Sequence, residues 1–191
     1  FDSTGAARGA EFLVNSTTSG NQNYSSIDAD ASGNFVLSWT SANQDGSGDG
    51  IYMKRYNASG TALTGEILVN TLTANNQQTS HAAMNTAGDF IVSWQDSSAD
   101  GSGTSIWAQQ FDSSGNRIGG QLQVNNTTAN SQSVPAVAYK GSSAVVSWIG
   151  NGPGDTNGIF FQRYTTTNYS TLTVTTLPPA GRRTARRRPT P

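Results

Sequence analysis

Two pairs of aspartates lie in glycine-rich segments whose composition suits a bound calcium ion. Asp45 and Asp49 flank a Gly-Ser-Gly run, and Asp96 and Asp100 stand four positions apart in the next segment, where Gly101-Ser102-Gly103 follows. Calcium binds six to eight oxygen ligands, and the carboxylates and carbonyls of a flexible turn supply such ligands. Asp and Gly are also favoured in ordinary turns. The pairs therefore predict a calcium site, with a metal-free turn as the alternative.

Tryptophan is the residue type through which this chain could stack on a sugar ring. Trp39, Trp94 and Trp148 end the same hydrophobic run in three successive segments, a pattern typical of core packing between sheets. Trp107 has no tryptophan counterpart in the other segments, so it is the predicted ligand-binding residue. The predicted structural core consists of the three recurring tryptophans together with three recurring valines, Val14, Val69 and Val124.

The sequence contains no recognisable catalytic set. Hydrolysis of a glycoside requires two carboxyl groups held about 5–10 Å apart, whereas Glu11 and Glu66 occupy the same position of successive segments. There is no nucleophile elbow, phosphate-binding loop or zinc-ligand spacing. We therefore predict that the chain is not an enzyme and has no catalytic residues.

Asparagine supplies one further kind of candidate site, for N-glycosylation. The chain is so rich in Asn, Ser and Thr that composition alone produces most such sequons, and this is the alternative explanation. The predicted acceptors are Asn15, Asn23, Asn57, Asn125, Asn126 and Asn168.

All these candidates are spaced by an internal repeat of about 55 residues. The dipeptide Val-Asn occurs at 14–15, 69–70 and 124–125, and Ser-Trp occurs at 38–39, 93–94 and 147–148. Such periodicity is typical of repeat architectures. The predicted organisation is three repeats, over 1–55, 56–110 and 111–164, followed by an extra strand over 165–177 and a disordered Pro- and Arg-rich tail over 178–191.

Each repeat contains four strand-like runs separated by turn sequences. In the third run of the first copy, Phe35, Leu37 and Trp39 alternate with Val36 and Ser38, which predicts a strand with two different faces. Four short antiparallel strands in a unit of this length are typical of a propeller blade. The predicted fold is all-β, with three four-stranded antiparallel blade-like units. Small β-sandwich repeats are the alternative.

The repeat also resembles a known family pattern. Val14-Asn15, Gln22, Gly33, Trp39, Asp45-Gly46-Ser47-Gly48, Tyr56 and their equivalents match tandem β-propeller-like repeats of about 55 residues in large exported bacterial surface proteins. The resemblance covers about residues 1–164 and implies a propeller-like fold and an extracellular or cell-surface location, but no reaction. The third copy departs from this pattern, because Asn-Gly-Pro-Gly-Asp replaces the Asp-Gly-Ser-Gly loop there.

Composition and charge limit the partners. Up to Tyr164 the chain has six basic and twelve acidic residues, which argues against nucleic-acid binding by this part. No apolar run is long enough to insert into a membrane. Rings of blades typically contain four to eight, so three units are expected to associate with further repeats or with other copies of the chain.

These observations lead to two functional hypotheses. The first is a non-catalytic structural or adhesive module of a secreted or cell-surface protein, assembled into a fibre or matrix through its β-units. The second is a lectin-like propeller module that binds glycans, with calcium as the one possible cofactor.

Overall fold

The chain forms three antiparallel β-sheets. The computed structural model describes residues 3–7, 9–97, 99–167 and 170–174, with Thr167 and the last five described by their backbone alone. The predicted tail at 178–191 and the sequon at Asn168 lie outside these residues. Within them there is no helix, so none that is long and apolar enough to cross a membrane. The predicted all-β class is confirmed.

In the residues that the structure describes, twelve strands make up the sheets, four in each, with every neighbouring pair antiparallel. The first sheet has the order β1-β2-β3-β4, from Gln22–Ala29, Phe35–Ala42, Asp49–Tyr56 and Ile67–Leu68. The second has the order β5-β6-β7-β8, from Gln77–Met84, Phe90–Ser97, Thr104–Phe111 and Arg117–Gln123. The third has the order β9-β10-β11-β12, from Gln132–Lys140, Ser143–Gly152, Asp155–Thr167 and Ser170–Val174.

One local device closes four of the hairpin turns. In the turn after β1, the Asp30 carboxylate accepts hydrogen bonds from the backbone N–H groups of Ser32 and Asn34, at 2.8 and 2.9 Å. Gly33 has a φ of +82°, a conformation that glycine adopts without steric cost. The same arrangement recurs in the turns that begin at Asn57, Asn85 and Asp112. An Asp or Asn three residues before a Gly therefore specifies each hairpin locally.

The three sheets stack side by side, with an apolar layer between each pair of neighbours. Between the first and second sheets, Ile51 and Met53 of β3 pack with Val92 and Trp94 of β6. Between the second and third sheets, Ile106 and Ala108 of β7 pack with Val146 and Trp148 of β10. Full burial of one such side chain contributes about 1.5–3 kcal/mol, so these layers hold neighbouring sheets together.

The repeated Asn and Gln form a clamp between neighbouring sheets. The Asn70 carboxamide accepts the Ile51 N–H of β3 at 2.8 Å and donates to Gln77 Oε1, at the start of β5, at 3.0 Å. Asn125 makes the same two contacts, with Ile106 at 2.7 Å and Gln132 at 2.9 Å. We call each set the Asn–Gln clamp. Because Ile67–Leu68 pairs with β3, the run that contains Val-Asn closes the sheet before it.

Candidate functional site

A polar cleft of about 180 Å³ opens between the second and third sheets. The turn between β5 and β6 provides Asn85 and Asp89, and β7 provides Gln110. Tyr139 comes from the end of β9, and Thr166 from β11. The remaining lining residues are Ile118, Gly141 and Ser142. We call this space the 2–3 cleft; its walls carry an amide, a carboxylate and a phenol within one small volume.

Hydrogen bonds fix the orientation of these side chains. Gln110 Nε2 donates to the Tyr139 hydroxyl at 3.3 Å, and that hydroxyl lies 3.3 Å from Thr166 Oγ1. Asn85 Nδ2 donates to the Gly141 carbonyl at 3.2 Å. Asp89 Oδ1 accepts the Ser113 N–H at 3.0 Å. The polar groups are therefore preorganised rather than mobile, which favours ligand binding because little side-chain entropy is lost.

The corresponding space between the first and second sheets is filled by an arginine. Arg55 stands at the repeat position of Gln110, is buried, and lies 5.8 Å from the centre of the Phe90 ring. Burial lowers the pKa of Arg55, although Asp112 and Asp30 oppose that shift. Met84 stands where the 2–3 cleft has Tyr139. The 2–3 cleft therefore has a shorter polar side chain at the arginine position, and a phenol in place of a thioether adds a hydroxyl to its wall.

The aspartates of the predicted calcium site are held by protein donors. Asp45 Oδ1 accepts the Ser47 N–H at 3.1 Å, and Asp49 accepts from the side chain of Gln78. In the described ranges no three His, Cys, Asp or Glu side chains come together as metal ligands would. Asp45 and Asp49 therefore form at most a two-carboxylate site, and calcium binding stays a prediction.

The second aspartate pair is more buried. Asp96 is inaccessible to solvent and accepts a hydrogen bond from Gln77 at 3.0 Å. Burial raises the pKa of Asp96, with a further increase from the charge of Asp100 and opposing hydrogen bonds from Gln77 and the Ala99 backbone. Asp100 accepts hydrogen bonds from Ser102 at 3.0 Å and Gln123 at 3.2 Å. This pair links the loop to the strands around it.

The aromatic candidates lie mostly inside the protein. Trp39, Trp94 and Trp148 are buried, as are Val69 and Val124, whereas Val14 is half-buried. Trp107 is half-buried; its ring packs against the layer between the first and second sheets, and its Nε1 donates to Ser105 at 3.0 Å. This packing leaves only part of the Trp107 ring for a ligand.

The predicted glycosylation acceptors differ in exposure. Asn23 and Asn126 are exposed, and Asn15 and Asn57 are half-buried. Asn125 is buried, and its Nδ2 donates to Thr127 O and Gln132 Oε1. Glycosylation itself stays a prediction.

Sequence reasoning missed the 2–3 cleft. Its residues come from separate strands and turns, and none belongs to a recognised motif. The signal that existed was the difference between copies: Gln110 and Tyr139 break the repeat at positions where Arg55 and Met84 stand in the preceding copy.

Comparison with known proteins identifies the fold and no family. No family model matches the sequence, and no curated protein matches it. A thermostable family-43 glycoside hydrolase superposes with a TM-score of 0.50 at 10% identity, over 80% of this chain and 53% of that chain. A protein of unknown function from Dyadobacter fermentans gives 0.49 at 17% identity, over 72% of this chain and 36% of that one. The GH43B protein of a Bacteroides ovatus xyloglucan PUL superposes with a TM-score of 0.49 at 15% identity, over 84% of this chain and 30% of that chain.

The sheets and the superposition on the family-43 glycoside hydrolase show that the fold is all-β and propeller-like. The chain spans about a third to a half of the length of the three structures. The prediction that the chain is not an enzyme is wrong as it was argued. It rested on the lack of a carboxylate pair and of any catalytic sequence motif, yet a family-43 glycoside hydrolase has a fold of this kind. The likeness shows the fold alone and assigns no activity.

Proposed function

We propose that this chain is a carbohydrate-binding module of propeller type, in which the three sheets are three blades and a glycan end binds in the 2–3 cleft. The observation that carries the proposal is the open polar cleft itself, bounded by Asp89, Gln110 and Tyr139 where the neighbouring interface is filled by Arg55. A shared fold with a glycoside hydrolase is consistent with a carbohydrate ligand.

The chemistry of the lining suits neutral sugar hydroxyls. A carboxylate accepts several hydrogen bonds through its two oxygens, a carboxamide both donates and accepts, and a phenol does either. Drug-sized ligands occupy pockets of about 300–1,000 Å³, so a cleft of about 180 Å³ accommodates one terminal sugar ring rather than a chain. We expect a Kd of about 1 mM, equivalent to about −4 kcal/mol.

The proposal extends to an extracellular or cell-surface location. The resemblance to repeats of exported surface proteins supports it, as does an acidic, Ser-, Thr- and Asn-rich composition. An adhesive role follows, because a module that presents one weak site per copy gains avidity when copies or repeats are linked.

The test is a glycan array followed by titration of the best ligand. Gln110→Arg introduces the side chain that fills the neighbouring interface, so it should abolish binding while leaving the fold intact. Asp89→Asn should weaken binding on the order of tenfold, the loss of one charge-assisted hydrogen bond. The matched control is Asp155→Asn, which removes the same charge at the opposite end of the third sheet.

Reducing-sugar release should be measured on the same ligands, because a glycoside hydrolase has a fold of this kind. If sugar is released, and Asp89→Asn stops the release while Asp155→Asn does not, the proposal extends to hydrolysis. Binding that survives Gln110→Arg would show that the 2–3 cleft is not the glycan site.

A further inference from the structure

The outer edge of the third sheet is only partly paired. In the first two sheets, β4 and β8 pair with the middle of β3 and β7, at Tyr52 and Met53 and at Trp107 and Ala108. In the third sheet, β12 pairs with Tyr164, Thr165 and Thr167. Within the described residues no strand pairs with 159–161 on that side. A cleft of about 230 Å³, lined partly by Trp148, Phe160 and Phe161, lies along this edge.

The face next to this edge is apolar and exposed. Ile51 and Ile106 are fully buried by the following sheet, but their repeat equivalent Ile159 is 73% exposed. Met53 and Ala108 are also fully buried, whereas their equivalent Phe161 is 54% exposed. The repeat therefore places an interface-type surface on the third sheet with nothing described that covers it.

The chain also carries a closing segment that belongs to none of the three sheets. Residues 11–15 read Glu-Phe-Leu-Val-Asn, against Glu-Ile-Leu-Val-Asn at 66–70. Its Phe12 and Leu13 are 55% and 68% exposed. Ser16, after the segment, donates to Glu66 as Thr71 donates to Gln121, so the segment is held at the end of the first sheet.

The first sheet is open at the same place. Leu37 and Trp39 line a cavity of about 270 Å³ together with the closing segment. In the next two sheets the equivalent positions, Val92 with Trp94 and Val146 with Trp148, are covered by the Ile of the preceding sheet. Gln22 Oε1 is buried without a hydrogen-bond partner, whereas Gln77 and Gln132 each accept from the Asn of an Asn–Gln clamp.

We propose that residues 11–15 of a second copy complete the third sheet, so that the first sheet of one copy docks on the third sheet of another. By analogy with the two clamps in the chain, Val14 N–H bonds to Ile159 O, and Asn15 bonds to Ile159 N–H and to its own Gln22. The side chains of Ile159 and Phe161 enter the cavity beside Leu37 and Trp39. This surface is independent of the 2–3 cleft.

We assign the occupant as a second copy because each chain carries both surfaces of the interface that joins its neighbouring sheets. That interface forms twice within the chain, and one unused surface of each kind remains, on the first and on the third sheet. The two internal interfaces share one further contact that the open ends would make differently. Thr40 and Gln95 accept the N–H groups of Thr79 and Val134 in the following sheet, at 3.2 and 3.3 Å. At the open ends the equivalent residues are Ile149, whose side chain has no hydrogen-bond acceptor, and Tyr24, so an apolar contact between these two exposed side chains would replace the hydrogen bond. Two copies bring six sheets, within the four to eight of closed rings.

Sedimentation and light scattering of the full chain provide the first test. We expect about 40 kDa, twice the 20.0 kDa of one copy. Phe161→Asp should shift the mass to that of one copy, since a charge would be buried without a partner. Leu72→Asp is the matched control, because Leu72 is a similarly exposed apolar residue in the segment that connects the first sheet to the second. Circular dichroism should show unchanged β-structure in both variants.

A cross-link tests the register. The chain has no cysteine, so Leu13→Cys and Phe160→Cys can be made separately and mixed under oxidation. The pairs Leu68–Tyr52 and Gln123–Trp107 are their repeat equivalents, and paired strands place Cα atoms about 4.5–5.5 Å apart, within disulfide range. A mixed dimer is expected, and Leu72→Cys mixed with Phe160→Cys should give none.

Each outcome decides the proposal. A single-copy mass up to about 500 μM, or a dimer that Phe161→Asp leaves intact, would overturn it. If the cross-link forms but the mass exceeds that of two copies, the contact between first and third sheets is supported and the closed ring of two copies is overturned.

Discussion

Replacing Asn70 by alanine measures how much one Asn–Gln clamp contributes to stability. The change removes the partners of Ile51 N–H and Gln77 Oε1, both in buried surroundings, and the donor to Leu72 O. Each buried group left without a partner costs about 1–3 kcal/mol, so unfolding should require about 2–6 kcal/mol less. Native domains have about 5–15 kcal/mol in all, so this is a large share.

Urea unfolding followed by tryptophan fluorescence is the assay. With an m-value of about 2 kcal/mol/M, the midpoint should fall by about 1–3 M at unchanged m. The matched control is Asn15→Ala, at the same repeat position, where the amide makes one described hydrogen bond, to Thr17 O. It should cost about 1 kcal/mol or less. Both variants belong in the Phe161→Asp background, which keeps copies apart.

Equal losses for Asn70→Ala and Asn15→Ala would refute this reasoning, because the two residues would then act through something other than the clamp. A loss below about 1 kcal/mol for Asn70→Ala would do the same, because a clamp that leaves buried groups unpaired must cost more.

Four further predictions follow from single residues. The pKa of Asp112 lies below 3.8 because hydrogen bonds from the Asn116 side chain and from the backbone of Asn116, Ser114 and Gly115 outweigh the effect of burial. The stabilisation that ionised Asp112 contributes is therefore present above pH 3.8 and is lost as pH falls through the lower folded pKa. Acid unfolding of Asp112→Asn should lack this contribution. The pKa of Asp96 is raised, so its effect on stability is opposite to that of Asp112: ionisation of Asp96 weakens the fold as pH rises above 3.8. Asp96→Asn should therefore raise the Tm at pH 7 and lose that advantage near pH 3. An equal gain in Tm at both pH values would contradict the assignment. Gly88→Ala should cost about 1–2 kcal/mol in urea, since φ is +91° and a Cβ would lie 3.1 Å from Ser113 Cβ, while Gly120→Ala, with no atom within 4 Å, should be neutral. Calcium should raise the Tm and a chelator reverse it if Asp45 and Asp49 bind the ion, an effect that Asp45→Asn must abolish; an unchanged Tm would rule the site out.

The strands and hairpins were predictable because their signals are local. Phe35, Leu37 and Trp39 alternate with residues of the opposite face, and each Asp or Asn before a Gly specifies its own turn. The repeat spacing could not show which sheet the Val-Asn run joins. A strand that opens one unit and a strand that closes the preceding unit recur with the same period, so the period does not distinguish them. The pairing of Ile67–Leu68 with Tyr52 and Met53 of β3 decides between them, and that contact exists only in three dimensions.

The 2–3 cleft was unpredictable for a different reason. Its residues come from several separate elements and share no motif, so their approach depends on how two sheets pack. The enzyme prediction failed on the same ground: catalytic groups are recognised by geometry rather than by sequence position, and a missing motif is weak evidence about a fold built from many separate strands. Differences between repeats, such as Tyr139 against Met84, are the sequence signal worth reading first.

One strained residue in the first strand of each sheet (β1, β5 and β9) explains how the repeats can diverge and still stack. Tyr24, Thr79 and Val134 have φ of 51°, 58° and 54°, a region that costs residues with a Cβ about 1–3 kcal/mol. At Thr79 the pairing register with β6 shifts between Gln78 and His81, which turns the strand toward the preceding sheet. The Thr79 and Val134 N–H groups then bond to side chains of that sheet, so the strain is offset by a contact between sheets. Because backbone geometry and the clamps set the spacing of the sheets, positions such as 110 and 139 are free to change, and those changes open the cleft.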